Sequence, residues 1–158
     1  MLDKPVEAEA EEIIHLVERA GVFGPKDVAC VRELLESYFG RLDHGGYQFL
    51  VYRRDGHLAG MACYGATALT EGTFDLYWIC VAPEAQRLGI GGALLAEVEA
   101  DIRRQGARLL VIETSGSAAY RPAREFYLAH GCQHQATIPD YYAPGEDLVI
   151  YTKRYEAS

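Results

Sequence analysis

The stretch Val81-Ala82-Pro83-Glu84-Ala85-Gln86-Arg87-Leu88-Gly89-Ile90-Gly91-Gly92-Ala93-Leu94-Leu95 decides how the rest of this chain is read. Ahead of it, residues 74–81 are aromatic, aliphatic and β-branched in a run that predicts a strand. Behind it, Ile90, Leu94, Val98 and Ile102 recur at helical spacing with Leu95 beside them, which predicts a helix over residues 89–105. Strand, short loop and helix follow one another, and the glycines fall where the helix begins. Gly89, Gly91 and Gly92 carry no Cβ to hold an anion away from the main chain. The first-turn N–H groups of a helix have no intrahelical partner and can point at a phosphate. Arg87 adds a positive charge beside them. The plain alternative is a glycine-bearing turn that only starts a helix; the strand, the Gln-Arg pair and the paired glycines together favour anion binding.

Two phosphate-binding patterns can be set against this loop. A P-loop requires Gly-Lys-Ser/Thr, which the chain lacks. A dinucleotide fingerprint requires a third small residue three places after Gly91, where Leu94 stands, although Glu113 ends the next strand at about the distance expected of the ribose-binding acid. The pattern that fits is Gln/Arg-x-x-Gly-x-Gly/Ala, met by Gln86-Arg87-Leu88-Gly89-Ile90-Gly91.

With Val81 and Pro83 ahead of it, this segment resembles motif A of the GNAT superfamily of acyl-CoA-dependent N-acetyltransferases. Downstream, Ala123-Arg124-Glu125-Phe126-Tyr127-Leu128-Ala129-His130-Gly131-Cys132 is similar to the family's A…FYxxxGF segment. The resemblance runs from about Tyr47 to Tyr155 and is loose over the first 45 residues. It implies an α/β fold with a mixed, mostly antiparallel central sheet flanked by helices, and a splayed parallel strand pair that binds the cofactor. It implies acetyl-CoA as cosubstrate, with the pyrophosphate cradled by the loop of Gln86, Arg87, Leu88, Gly89, Ile90, Gly91, Gly92 and Ala93. A bulge in the preceding strand would let the pantetheine pair with Ile79, Cys80 and Val81, and a backbone N–H at or near Ile79–Cys80 would stabilise the carbonyl oxygen. Where the family often has a pantetheine-binding asparagine, this chain has Tyr120, a departure that weakens that contact.

Composition narrows the class. The chain has 158 residues, 49% hydrophobic and 24% charged, which suits one soluble domain spanning residues 1–158. A formal net charge of −8 and the absence of any basic run argue against nucleic acid as partner, and suit a cationic acceptor such as an amine. Cys30, Cys63, Cys80 and Cys132 are widely separated, with no CxxC pair to suggest a metal. Neither an N-terminal apolar leader nor an 18-residue apolar stretch occurs, so the expectation is a cytoplasmic protein with no membrane association.

Taken in order, residues 7–20 predict a helix with acidic residues at its start and an apolar face of Ile13, Ile14, Leu16 and Val17. Pro25 after Gly24 starts a second, ended by Gly40. The family's first strand should precede both, and residues 1–6 are a poor candidate for it. Residues 47–54 and 58–67 predict strands joined by an Asp55-Gly56 turn. They form an antiparallel meander with the 74–81 strand. The helix, Gly106 and a strand over residues 108–113 complete a right-handed crossover, so that strand should lie parallel to residues 74–81. A short helix over residues 119–130 and a last hairpin, residues 133–138 and 147–154, follow, with residues 139–146 as a long tip.

Acetyl transfer to an amine needs a base for the ammonium and an acid for the departing thiolate. Tyr127 matches the family tyrosine that faces the coenzyme A sulfur; the alternative is a core aromatic on an amphipathic helix. Two carboxylates stand where family members carry a base: Asp75, six residues before Val81, and Glu113, at the end of the parallel strand. Each is otherwise a solvated strand-end charge. Tyr141 and Tyr142, with Asp140, Glu146 and Asp147 nearby, suit either a cationic acceptor or a homodimer edge. The reading is an enzyme acting by direct attack of a primary amine, from a small molecule or a peptide N-terminus. The alternative is a non-catalytic acyl-CoA-binding module of the same fold.

Overall fold

The computed structural model describes residues 1–156. Its sheet has seven strands in the order β1-β2-β3-β4-β5-β7-β6. These are β1 Leu2–Asp3, β2 Gln48–Arg54, β3 His57–Ala66, β4 Thr73–Val81, β5 Leu109–Ser115, β6 Gln133–Ala143 and β7 Glu146–Arg154. Every neighbouring pair is antiparallel except β4–β5. Four helices flank it: α1 Ala10–Arg19, α2 Pro25–Gly40, α3 Ile90–Arg104 and α4 Arg121–Ala129.

Local chemistry sets most of these boundaries. Asp55 and Gly56 both take positive φ, 52° and 78°, the pair of left-handed residues that a two-residue hairpin requires. Pro25 opens α2, and Asp27 accepts the Gly24 N–H at 2.8 Å, tying the helix start to the chain before it. Between β4 and β5, Gly106 at φ 88° turns the chain out of α3 toward the next strand, as the parallel pairing requires.

Both faces of β3 are covered, and this fixes the layers. A Cβ on Gly60 would stand 2.9 Å from Leu94, and the Tyr64 hydroxyl donates to Asp101 at 2.6 Å, so these residues face α3. Phe49, paired with Cys63 in the intervening register, meets Tyr38 of α2 edge to face at 5.1 Å. Thus α1 and α2 cover one face, while α3 and α4 cover the other. Ile13, Ile14 and Leu16 of α1 and Leu94, Leu95 and Ile102 of α3 are fully buried against the sheet. Each such side chain contributes about 1.5–3 kcal/mol by leaving water.

Two segments depart from the sequence reading. The N-terminal segment does supply a strand: Leu2 and Asp3 pair with Tyr52 and Val51. Its anchor is Arg53, whose N–H donates to the Met1 carbonyl at 2.8 Å and whose guanidinium donates to Glu9 at 2.7 and 2.8 Å and to the Lys4 carbonyl at 3.1 Å. Polar anchoring of this kind leaves no apolar periodicity to read. The tip of the last hairpin is also shorter than expected. β6 runs on to Ala143, and the pairing jumps from Ile138↔Leu148 to Ala143↔Glu146, so residues 139–142 bulge out opposite Asp147. Asp140 holds the bulge at φ 55°, its N–H bonded to Asp147 at 3.0 Å and its carboxylate accepting the Gly145 N–H at 2.7 Å.

Candidate active site

The parallel pairing of β4 with β5 covers only Thr73 to Leu76 against Leu109 to Ile112. Beyond that, β4 continues along β3, while Glu113, Thr114 and Ser115 continue along β7. The two strands part, leaving an opening between them. Its cause is a bulge at Tyr77: Trp78 pairs with Cys63 and Leu76 with Tyr64, so Tyr77 has no partner. The extra residue adds twist and swings the end of β4 away.

The bulge also decides which main-chain groups line the opening. The Ala82 N–H donates to the Ala59 carbonyl at 2.8 Å, and the Cys80 carbonyl lies 3.2 Å from where a Gly60 Cβ would stand, so Cys80 and Ala82 address β3. Strand alternation then turns the N–H and C=O of Ile79 and Val81 toward the opening.

At the end of β4 the loop reaches α3. Arg87 takes φ 67°, an uncommon conformation for a residue with a Cβ, and Gly89 takes φ 78° at the helix N-cap. Apart from its two chain neighbours, no described residue comes within 4 Å of a Cβ placed on Gly89, so the main chain there is open to a ligand. Gly91 and Gly92 have a second duty. A Cβ on Gly91 would come within 3.3 Å of the Phe126 ring, and one on Gly92 within 3.0 Å of His130 Nε2. These two glycines let α4 close against the first turn of α3. Gln86, Arg87 and Leu88 are exposed, Ile90 is buried and Ala93 half-buried in that turn. The unpartnered first-turn amides, the open Gly89 and Arg87 fit a pyrophosphate.

Tyr127 projects from α4 into the parted strands. It is 6% exposed, its ring centroid is 5.8 Å from that of Tyr151 on β7, and Cys80 of β4 lies near its hydroxyl. Burial, with Cys132, Cys80 and Tyr151 close by, pushes its phenol well above the ordinary tyrosine range. Burial likewise pushes the Cys80 thiol up to about 12, so Cys80 is a neutral wall rather than a nucleophile.

The carboxylates separate clearly. Glu113 is exposed, one residue beyond the last β4–β5 pair, on the sheet face that α1 and α2 cover. Tyr142 lies near enough for Glu113 to help raise its phenol pKa, after burial. Asp75 lies where the strands are still paired, opposite Val111 and Gly65, and accepts the Thr67 hydroxyl at 2.6 Å. The opening thus has Tyr127 reaching in from the α4 side and Glu113 at its edge on the other; Asp75 stands at its closed end.

Tyr120 does not lie alone beside the α4 start. Its hydroxyl reaches the Val22 carbonyl at 3.4 Å, and its ring meets Phe23 at 6.2 Å, edge to face. Phe23 in turn meets Trp78 of β4 at 5.2 Å. Phe23, Trp78 and Asp27 escaped the sequence reading because residues more than fifty positions apart meet only when α1 and α2 fold onto the sheet. Surface cavities of about 520 Å³, between α3 and the end of β7, and about 290 Å³, between α1 and α2, lie elsewhere. Among the described residues, no three His, Cys, Asp or Glu side chains are grouped to hold a metal. No helix among them is long and apolar enough to cross a membrane.

Comparison with known proteins agrees with this architecture. The model of the acetyltransferase (GNAT) domain matches residues 45–133. A crystal structure from Desulfovibrio desulfuricans, of a protein assigned to the GNAT family of acetyltransferases, is 40% identical, with 98% of each chain covered and a TM-score of 0.94. The fold is shared at lower identity with a ribosomal-protein-alanine N-acetyltransferase from Brucella melitensis, at 21% identity, TM-score 0.77, and 98% and 99% coverage. It is shared too with a Salmonella typhimurium protein solved with its cofactor acetyl-CoA, at 18% identity, TM-score 0.77, and 100% and 95% coverage. No curated protein sequence matches the chain. The parted β4–β5 pair, the glycine loop at the start of α3 and a domain match over more than half the sequence lead to one assignment: this chain belongs to the GNAT family of acetyltransferases.

Proposed function

We propose that this chain is a single N-acetyltransferase domain that moves an acetyl group from acetyl-CoA to a primary amine by direct attack. The observation that carries the reading is the opening between β4 and β5, with the glycine loop at one end and Tyr127 buried within it. The N–H groups of the loop and of the first turn of α3, with Arg87, hold the pyrophosphate. The main chain of Ile79 and Val81 pairs with the pantetheine arm, beside Cys80.

Acetyl-CoA, when bound, supplies a thioester carbonyl that is activated toward amines. The protein's own groups do the rest. Glu113 takes a proton from the acceptor ammonium, directly or through water. The Ile79 N–H, turned into the opening, donates to the carbonyl oxygen as charge collects there. Tyr127, neutral at neutral pH as any tyrosine is, donates its hydroxyl proton to the departing sulfur and regains a proton, through solvent, from the acceptor nitrogen as the amide forms. Asp75 is the lesser base, being held by Thr67. The four cysteines are free thiols, which suits a reducing cytoplasm.

Thiol release on mixing the chain with acetyl-CoA and a panel of primary amines tests this reading. Acetylated amine and free thiol should appear in equal amounts. Tight acetyl-CoA binding with no amine acetylated would leave the non-catalytic binding module instead.

A further inference from the structure

The side chain that closes on Gly92 is a histidine. His130 caps the C-terminal end of α4, half-buried, its ring tilted on that of Phe126 with the centroids 4.2 Å apart. Its Nδ1 lies 2.8 Å from the Phe126 carbonyl oxygen. A carbonyl only accepts, so Nδ1 carries the hydrogen and the neutral ring keeps its lone pair on Nε2. Nε2 stands 3.0 Å from where a Gly92 Cβ would be, with Cδ2 and Cε1 both at 3.9 Å. The ring therefore meets α3 end-on, through that nitrogen. The place it meets is the first turn: the Ala93 N–H makes the first bond back along the helix, to Gly89 at 3.0 Å, so the N–H groups of Ile90, Gly91 and Gly92 precede it. Nε2 has no hydrogen-bond partner among the described residues, where no fully enclosed polar atom goes unpaired, so it keeps contact with solvent.

The acids on the elements around the ring are already paired. Glu99, two turns along the same face of α3 as Gly92, holds Lys153 Nζ at 2.8 Å and accepts the Tyr155 hydroxyl at 2.8 Å. Glu125 on α4 is paired with Arg121 at 3.0 Å. The cations are Lys153 of β7, which donates to the His130 carbonyl at 2.9 Å, and the exposed Arg87 of the loop before α3. The Tyr127 phenol and the Cys132 thiol beside α4 are neutral, and burial pushes both up. Two helix ends meet at the imidazole. The C-terminal end of α4 favours a positive charge there, and the N-terminal end of α3 opposes it. An anion held by the first-turn amides of α3 removes that opposition and supplies the missing negative neighbour.

We infer that His130 is a proton-coupled part of the cofactor site: Nε2 takes up a proton from solvent as the pyrophosphate settles on the first turn of α3, and the imidazolium so formed tightens the hold on it. Opposite charges gathered at one turn of helix interact strongly enough to move a histidine between its two charge states near neutral pH. The sign follows from linkage: a ligand that favours the protonated ring binds more tightly as pH falls. The inference rests on the reading of the glycine loop as the pyrophosphate site and gives that site a positive charge that responds to pH. A residue that only packs α4 on α3 would leave affinity independent of pH in this range.

The test is titration calorimetry of the full chain with dephospho-coenzyme A, which keeps the pyrophosphate but lacks the 3′-phosphate, whose own ionisation falls near pH 6. At about pH 7, in two buffers of different ionisation enthalpy, the chain should take up about half a proton per ligand bound. Its affinity should be about 5-fold or more tighter near pH 6 than near pH 8. His130→Asn keeps an N–H donor where Nδ1 stands and removes Nε2. That variant should bind near pH 8 much as the parent does, and should lose both the proton uptake and the gain in acid. Coenzyme A serves as a second ligand, since its own ionisation is common to parent and variant. Binding by the parent without proton uptake, or uptake undiminished in His130→Asn, would overturn the inference and leave the cofactor reading standing. The first of these outcomes needs no variant to fold. Failure of both ligands to bind at either pH would overturn the cofactor reading and this inference with it.

Discussion

A Cβ on Gly91 would come within 3.3 Å of the Phe126 ring, so the first turn of α3 and the middle of α4 touch through a glycine. The loop proposed to hold the cofactor is therefore also a packing joint. Gly91→Ala should lower stability by about 1 kcal/mol, the overpacking cost partly offset by the better helix propensity of alanine. Arg87→Glu touches no such joint, since Arg87 is exposed. That variant should melt like the parent and lose most of the acetyl-CoA-induced rise in Tm. Thermal melts of both variants with and without acetyl-CoA check the separation; a full shift in Arg87→Glu would remove Arg87 from the cofactor site.

Tyr127→Phe keeps the ring that packs on Tyr151 and removes only the proton donor. Turnover should fall about 10²-fold with little change in Tm. Because burial raises the phenol pKa, the Tyr127 proton stays in place above pH 10, where an ordinary tyrosine would lose it. The parent enzyme should then show no loss of kcat from tyrosine ionisation in the alkaline range. An alkaline limb that disappears in Tyr127→Phe would contradict this.

Glu113 and Asp75 offer a direct ranking. Glu113→Gln should reduce kcat/KM at neutral pH by about 10²-fold, with partial recovery as rising pH deprotonates the amine unaided. Asp75→Asn should act on the start of β4, where the Thr67 hydroxyl bond would weaken, and should cost activity much less. pH–rate profiles of both variants with one good acceptor decide the matter; the reverse ranking would move the base to Asp75.

The N-terminal anchor has its own pH signature. The hydrogen bonds from Arg53 hold the Glu9 carboxyl below the ordinary glutamate range. A depressed carboxylate pKa stabilises the fold above the unfolded value of about 4.3, and that contribution is lost as pH falls through the lower folded value. Glu9→Gln should therefore cost about 1–2 kcal/mol at pH 7. The gap between the variant and the parent should narrow as pH falls below the ordinary glutamate range in urea melts.

Much of this molecule is legible in its sequence because local rules decide it. Asp55-Gly56, Gly24-Pro25 and the glycine that ends α3 mark boundaries by their own backbone preferences. The motif segment reveals the cofactor side for the same reason: its glycines, strand and helix are consecutive. The α1/α2 side of the opening is different. Phe23, Trp78 and Tyr120 meet only across layers, and no spacing along the chain announces them. β1 is hidden because a guanidinium rather than an apolar face holds it, and the length of β6 because a four-residue bulge interrupts its alternation.

That bulge has a consequence for the molecule's solubility. β6 is the outer strand of the sheet, eleven residues long and exposed along nearly all its length. A straight edge of that length offers a row of unpaired amides onto which another chain can zip. Pro139 removes one donor from the row, and the left-handed Asp140 spends the next amide on Asp147. What remains on either side is too short and too sharply turned for sustained strand addition. The same four residues that interrupt the β6–β7 register therefore also keep the edge from templating aggregation.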